Sequence, residues 1–190
     1  MGKYITHKGR RFQRRRISRP IFERARQSAK RKSALHSPFR EGKPTKDVKI
    51  VPLSEKHITD LARIQEQIFS QPWSEEAFRR LLTQEYYHYL VAEADDRAVG
   101  FAGFCDSFGE GEIDMVCVDR AYQRQGIANA LLYELFALGA RLGVTAYTLE
   151  VRVSNEPAIH LYEKHGFRGE GVRPGFYDKP KEDALIMWKR

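Results

Sequence analysis

Two cysteines in 190 residues, Cys105 and Cys117, cannot build a disulfide framework, and neither belongs to a CxxC zinc pair. Both lie in apolar, strand-like segments and read as reduced core thiols. Long hydrophobic runs are missing too. None approaches the roughly 18 residues of a membrane helix, and the N-terminus lacks the apolar core of a secretory signal. Acidic residues are scarce in one place only. Residues 1–46 hold 16 Lys and Arg against two acids, Glu23 and Glu41, and carry +14; residues 47–190 hold 17 against 23 and carry −6. The net +8 therefore sums a basic arm and a mildly acidic domain. These absences leave a cytoplasmic enzyme or binding protein with no metal centre. It has one folded domain, residues 47–190, and a flexible basic extension, residues 1–46.

The extension carries two charge runs, Arg10–Arg16 and Lys30–Lys32, separated by a stretch in which Pro20 opens a helix over Ile21–Leu35. Pro38, Gly42 and Pro44 read as a linker. Three readings are open for it: a solvated tail, an RNA or ribosome tether acting through phosphates, and an organelle transit peptide. The opening Met1–Thr6 also matches the myristoylation pattern.

In the domain, periodicity predicts the order β-α-α-β-β-β-α-β-α-β-β, a mixed α/β layer without internal repeats. Val48–Leu53 alternates as a strand; residues 56–69 place Ile58, Leu61, Ile64, Ile68 and Phe69 at helical spacing; Ser74 caps a second helix. Tyr87–Ala94 and Ala98–Cys105 form a hairpin about Asp95-Asp96. The strand Glu112–Asp119 then feeds a helix whose stripe is Ile127, Leu131, Leu135, Leu138 and Leu142. Thr145–Val153 is a strand and Ser154–His165 a helix. Phe167 begins a strand, residues 169–180 read as a Gly/Pro-rich loop, and Ala184–Trp188 closes the domain.

The chemistry gathers between Asp119 and Tyr162. Strand, glycine-bearing turn Gln123–Asn129 and helix N-terminus together make an anion site, because the first helical amides lack intrahelical partners and the helix dipole adds positive charge there. In the next strand, alternation sets Tyr147, Leu149, Val151 and Val153 on one face and Thr148, Glu150 and Arg152 on the other. Glu150 is either half of a Glu150–Arg152 ion pair or a cleft carboxylate. Asn155 is either a helix cap or a ligand donor. Tyr162, two helical turns after Asn155, is either core or a proton donor.

Val118-Asp119-Arg120-Ala121-Tyr122-Gln123-Arg124-Gln125-Gly126-Ile127-Ala128 resembles the (Gln/Arg)-x-x-Gly-x-(Gly/Ala) acetyl-CoA signature of the GNAT N-acetyltransferases. Leu149–Phe167, the Pro72-Trp73-Ser74-Glu75 turn and Glu182–Met187 resemble the RimI branch, which acetylates ribosomal-protein alanines. The resemblance covers residues 48–190. It implies a mixed, mostly antiparallel sheet with a splayed parallel pair and flanking helices. It implies acetyl-CoA held by Val116, Cys117 and Val118 along the pantetheine, and by Arg124, Gln125, Gly126, Ile127, Ala128 and Asn129 at the pyrophosphate, with Asn155 assisting. Glu150 would be the general base and Tyr162 the general acid, and Phe69, Trp73 and Tyr177 would meet the acceptor. The implied reaction is direct acetyl transfer to a protein N-terminal amine, most simply a ribosomal-protein alanine. A lysine or small-molecule amine is the alternative acceptor, and an inactive RNA- or ribosome-binding member of the fold is the alternative class.

Overall fold

A computed structural model describes residues 48–190 of the chain. The helix expected over Ile21–Leu35 and the boundary at residues 46/47 lie outside the described residues. The elements follow the expected order: β1 (Lys49–Pro52), α1 (Ile58–Ile68), α2 (Glu75–Leu81), β2 (Tyr87–Ala94), β3 (Arg97–Ser107), β4 (Glu110–Val118), α3 (Ile127–Leu142), β5 (Ala146–Arg152), α4 (Glu156–Lys164), β6 (Arg168–Asp178) and β7 (Lys181–Lys189). Local chemistry accounts for several ends. Ser74 caps α2 by accepting the Ala77 N–H. Asp95 and Asp96 both sit at positive φ, 51° and 59°, which suits the twist of a two-residue hairpin.

Three expectations need correction. Residues 169–180, expected as a loop, are mostly β6, paired to β7 with register shifts at Gly169/Gly171 and Arg173/Tyr177. An edge strand tolerates glycine and Pro174, since its outer side needs no ladder donors. Leu142 and Val153, expected on buried stripes, are 40% and 43% exposed. Leu142 is the last residue of α3, and Val153 lies one residue past the end of β5.

All seven strands form one sheet in the order β1-β2-β3-β4-β5-β7-β6. Neighbours are antiparallel except β4 and β5. That parallel ladder runs only from Glu110↔Ala146 to Ile113↔Leu149. Beyond it β4 stays paired with β3 as far as Val118, and β5 with β7 as far as Arg152, but not with each other. A gap therefore opens in mid-sheet, with backbone groups on both rims that need partners. One face packs on α3 and α4, where Leu131, Leu132 and Leu135 are fully buried, each worth roughly 2 kcal/mol of apolar burial. On the other face, Ile58, Leu61, Ile64 and Phe78 of α1 and α2 cover Val91, Phe101, Met115 and Cys117 of β2 to β4. Among the described residues no helix is long and apolar enough to cross a membrane.

Candidate active site

The turn after β4 is built by side chains that hold their own backbone. Asp119 accepts from the Ala121 amide at 3.0 Å, from Arg63 of α1 at 2.5 Å and from Gln67 at 3.3 Å. Burial alone would raise its carboxyl, but these hydrogen bonds hold it below the usual range. Gln123 donates to the Val118 carbonyl at 3.1 Å and Gln125 to the Ala121 carbonyl at 3.2 Å. Arg124 and Gly126 then adopt left-handed backbone, with φ of 60° and 82°. The first helical bond of α3 is Ala130 N–H to Gly126 O, 3.0 Å. The six amides from Arg124 to Asn129 reach no acceptor among the described residues. Consecutive orphan amides at a helix N-terminus suit a phosphate or pyrophosphate.

The same strand lines the gap. The Asp119 amide donates to Val99 of β3 at 2.9 Å. Alternation along β4 then turns the Cys117 amide toward β3 and the amides of Val116 and Val118 toward the gap. Those two donors can pair with the amides of an extended ligand. The Cys117 side chain is buried in the core under α1 and α2, and burial pushes its thiol up. Burial and nearby carboxylates push Cys105 up to about 12. Both thiols are free and poorly suited to nucleophilic work.

Glu150 lies on β5 just past the last parallel pair, on the face opposite buried Leu149 and Val151. Its ion partner is Arg173, with 2.5 Å between Nη1 and Oε1, and not Arg152. Arg152 instead clamps the β6–β7 turn. It donates to the carbonyls of Lys179 and Pro180 at 3.0 and 3.1 Å, pairs with Glu182 at 2.9 Å and stacks on Tyr177 at 4.1 Å. Tyr162 is buried against Phe167 on the α3/α4 face. Its phenol is pushed up by burial and by neighbouring Cys117 and Tyr177, residues that belong to the two sides of the gap. Asn155 is exposed and caps α4, accepting the Ala158 amide at 3.3 Å, which leaves its N–H donors for a ligand.

The expected acceptor residues divide. Phe69 is 41% exposed at the end of α1, whereas Trp73 is partly buried, packing on Phe78 at 5.6 Å and held by Gln65 through its amide at 2.7 Å. Tyr177 donates to the Glu150 carbonyl at 3.1 Å, which ties β6 to the gap. Ser70 donates to the Lys179 carbonyl at 3.2 Å, so the α1–α2 turn and the β6–β7 turn meet.

Sequence reasoning passed over Asp114. It is the β4 residue next to Ile113, the last one paired with β5, and Tyr89 donates to it at 2.7 Å. Burial raises its carboxyl to about 7 against the opposing effect of that hydrogen bond. The available signal was the one that singled out Glu150, a carboxylate inside an apolar strand. Arg173 had no comparable signal, since its pairing crosses an intervening strand.

Comparison with known proteins decides the family. Residues 58–167 match the acetyltransferase (GNAT) family model. The chain belongs to this acyltransferase family. It is 34% identical to the ribosomal protein bS18-alanine N-acetyltransferase of Escherichia coli strain K12, over 71% of this chain and 94% of that one. It is 36% identical to the N-alpha-acetyltransferase RimI of Mycobacterium tuberculosis, over 75% and 92%. The crystal structure of the Escherichia coli ribosomal-protein-S18-alanine N-acetyltransferase superposes with a TM-score of 0.69 at 32% identity, covering 75% of this chain and 93% of that one. The family's mixed sheet with one parallel pair is the fold described above.

Proposed function

We propose that this enzyme transfers the acetyl group of acetyl-CoA to the N-terminal α-amine of a protein in the cytoplasm, and that its acceptor is the N-terminal alanine of a ribosomal protein. The observation that carries the reading is the continuity of the orphan amides at Arg124–Asn129 with the gap bordered by Val116, Val118 and Glu150. The amides fit a pyrophosphate, and the gap fits the amide-bearing arm that follows it in coenzyme A. The acceptor amine has an ordinary pKa near 7.7–8.0, so it arrives largely as an ammonium. The ammonium gives up one proton before attack, and Glu150 takes the second from the attacking nitrogen, directly or through water, as that nitrogen adds to the thioester carbonyl. The C–N bond forms, the C–S bond breaks, and Tyr162 protonates the departing sulfur. Phe69 and Tyr177 flank the acceptor, and Trp73 supports that wall. The Escherichia coli relative named as a ribosomal protein bS18-alanine N-acetyltransferase favours this acceptor over a lysine or a small amine.

The test is incubation with acetyl-CoA and a short peptide beginning with alanine, read by mass spectrometry. Acetylation at the α-nitrogen is expected; acetyl groups only on lysines or small amines would overturn the acceptor. The +14 of residues 1–46 supports a second role, contact with ribosomal RNA, in which affinity falls steeply with salt. Removing residues 1–46 should then spare transfer to the free peptide and weaken transfer to ribosome-associated substrate. Loss of both activities would place the arm within the catalytic fold.

A further inference from the structure

We propose that Asp114 is a second proton acceptor of the acetyl-transfer site, held in place by Tyr89. The proposal rests on the reading above that an ammonium is acetylated here. Ile113 and Leu149 form the last parallel pair, so Asp114 and Glu150 are the next residues on adjacent strands, at the point where those strands part. Ile113 and Leu149 are both buried in the core under α3. Glu150 turns to the face opposite Leu149 and Val151, and Asp114, the extra residue of a β-bulge against Gly103 and Phe104, is held on that same α1/α2 face by Tyr89, so both carboxylates follow the last parallel pair on one side of the sheet.

The support beneath Asp114 is specific. Tyr89 of β2 pairs in register with Gly103 of β3. A Cβ at Gly103 would stand 2.4 Å from the Tyr89 ring, so that ring lies across β3 where only glycine admits it. Lying there, its hydroxyl crosses β3 and donates to Asp114 of β4 at 2.7 Å. The groups that face the carboxyl are Tyr87 and Tyr89 from β2, Cys105 from β3, and Glu112 and Cys117 from β4; Glu150, paired with Arg173 of β6, lies across the gap. Gln65 of α1 points to Met115 instead. No cation faces Asp114 among these, and burial raises its carboxyl to about 7, where it exchanges protons at neutral pH.

Proton balance gives the second carboxylate work. An ammonium loses two protons on becoming an amide nitrogen. One departs before attack, and one departs as the C–N bond forms and the C–S bond breaks. Tyr162 supplies the proton that the sulfur gains, and the two carboxylates receive the two that nitrogen loses. Asp114 takes the first from the ammonium, and Glu150 takes the second.

The experiment measures kcat/KM against pH from 5.5 to 9 for an alanine-initiated peptide, using the wild-type chain, Asp114→Asn and Tyr89→Phe, with acetyl-CoA affinity measured alongside. Asp114→Asn should lower kcat/KM at pH 7 about tenfold or more, with acetyl-CoA binding kept and activity partly restored near pH 9, where the free amine needs no base. Tyr89→Phe removes a hydrogen bond that favours the carboxylate, so its acidic limb should move to higher pH. An acidic limb unmoved in both variants, whatever the loss of rate, overturns the role of Asp114. A wild-type chain that acetylates no peptide amine overturns the acceptor reading and this proposal with it, a result distinct from an active enzyme with an unmoved limb.

Discussion

Arg173 of β6 reaches Glu150 of β5 across β7, closing to 2.5 Å between strands that are not neighbours. Arg173 is in register with Ala184 of β7 and Glu150 with Ile186, so the contact runs diagonally across β7. The guanidinium keeps a positive charge beside the Glu150 carboxylate. If Glu150 is the base, Glu150→Gln should lower kcat by about 10²-fold or more and leave acetyl-CoA affinity within twofold, because the base acts in chemistry and not in binding. Steady-state rates with parallel calorimetry check this. An unchanged kcat would remove Glu150 from the role.

Tyr162→Phe deletes one hydroxyl and keeps the ring on Phe167. The expected result is a fall in kcat with KM for both substrates nearly constant and melting temperature unchanged. A shifted melting temperature with normal kcat would return Tyr162 to the core.

Gly126→Ala places a Cβ on a left-handed residue with φ of 82° at the start of α3. Strain of about 1–2 kcal/mol should appear in thermal unfolding. Acetyl-CoA binding should weaken at least tenfold by calorimetry, since the strained residue lies within the run of orphan amides.

Arg152→Ala removes the clamp on Lys179 and Pro180 and the stacking on Tyr177. Acceptor KM should rise several-fold while acetyl-CoA affinity holds, because in the proposed reaction the β6–β7 turn borders the acceptor. Equal losses for both substrates would mean that the clamp supports the whole gap.

Asp114 also makes a stability prediction with a definite sign. Its carboxyl is raised in the folded chain from an ordinary 3.8 to about 7, so the folded state binds this proton more tightly than the unfolded state. The associated stability is complete below about pH 3.8 and is lost as pH rises through 7. The loss is at most about 1.4 kcal/mol per pH unit. Asp114→Asn should remove that slope, so its stability relative to wild type rises between pH 4 and 7. Denaturant titrations at several pH values measure it.

The amino-acid sequence by itself determined the order of the elements, because apolar spacing and turn residues act over a few neighbouring positions. It also singled out the turn Gln123–Asn129, where a glycine and a helix start leave consecutive amides without acceptors among the described residues. The two faces of β5, and hence the direction of Glu150, followed from alternation alone. Tertiary structure decided which partners those residues meet. Glu150 pairs with Arg173 rather than Arg152, because strand order sets β7 between β5 and β6 and no local pattern encodes that order. The Trp73 ring meets Phe78, because α1 and α2 fold together there. The point at which β4 and β5 part, and the reach of Tyr89 across Gly103 to Asp114, depend on contacts far apart in the chain. Local propensity cannot determine them, because each arises only when distant strands settle into register.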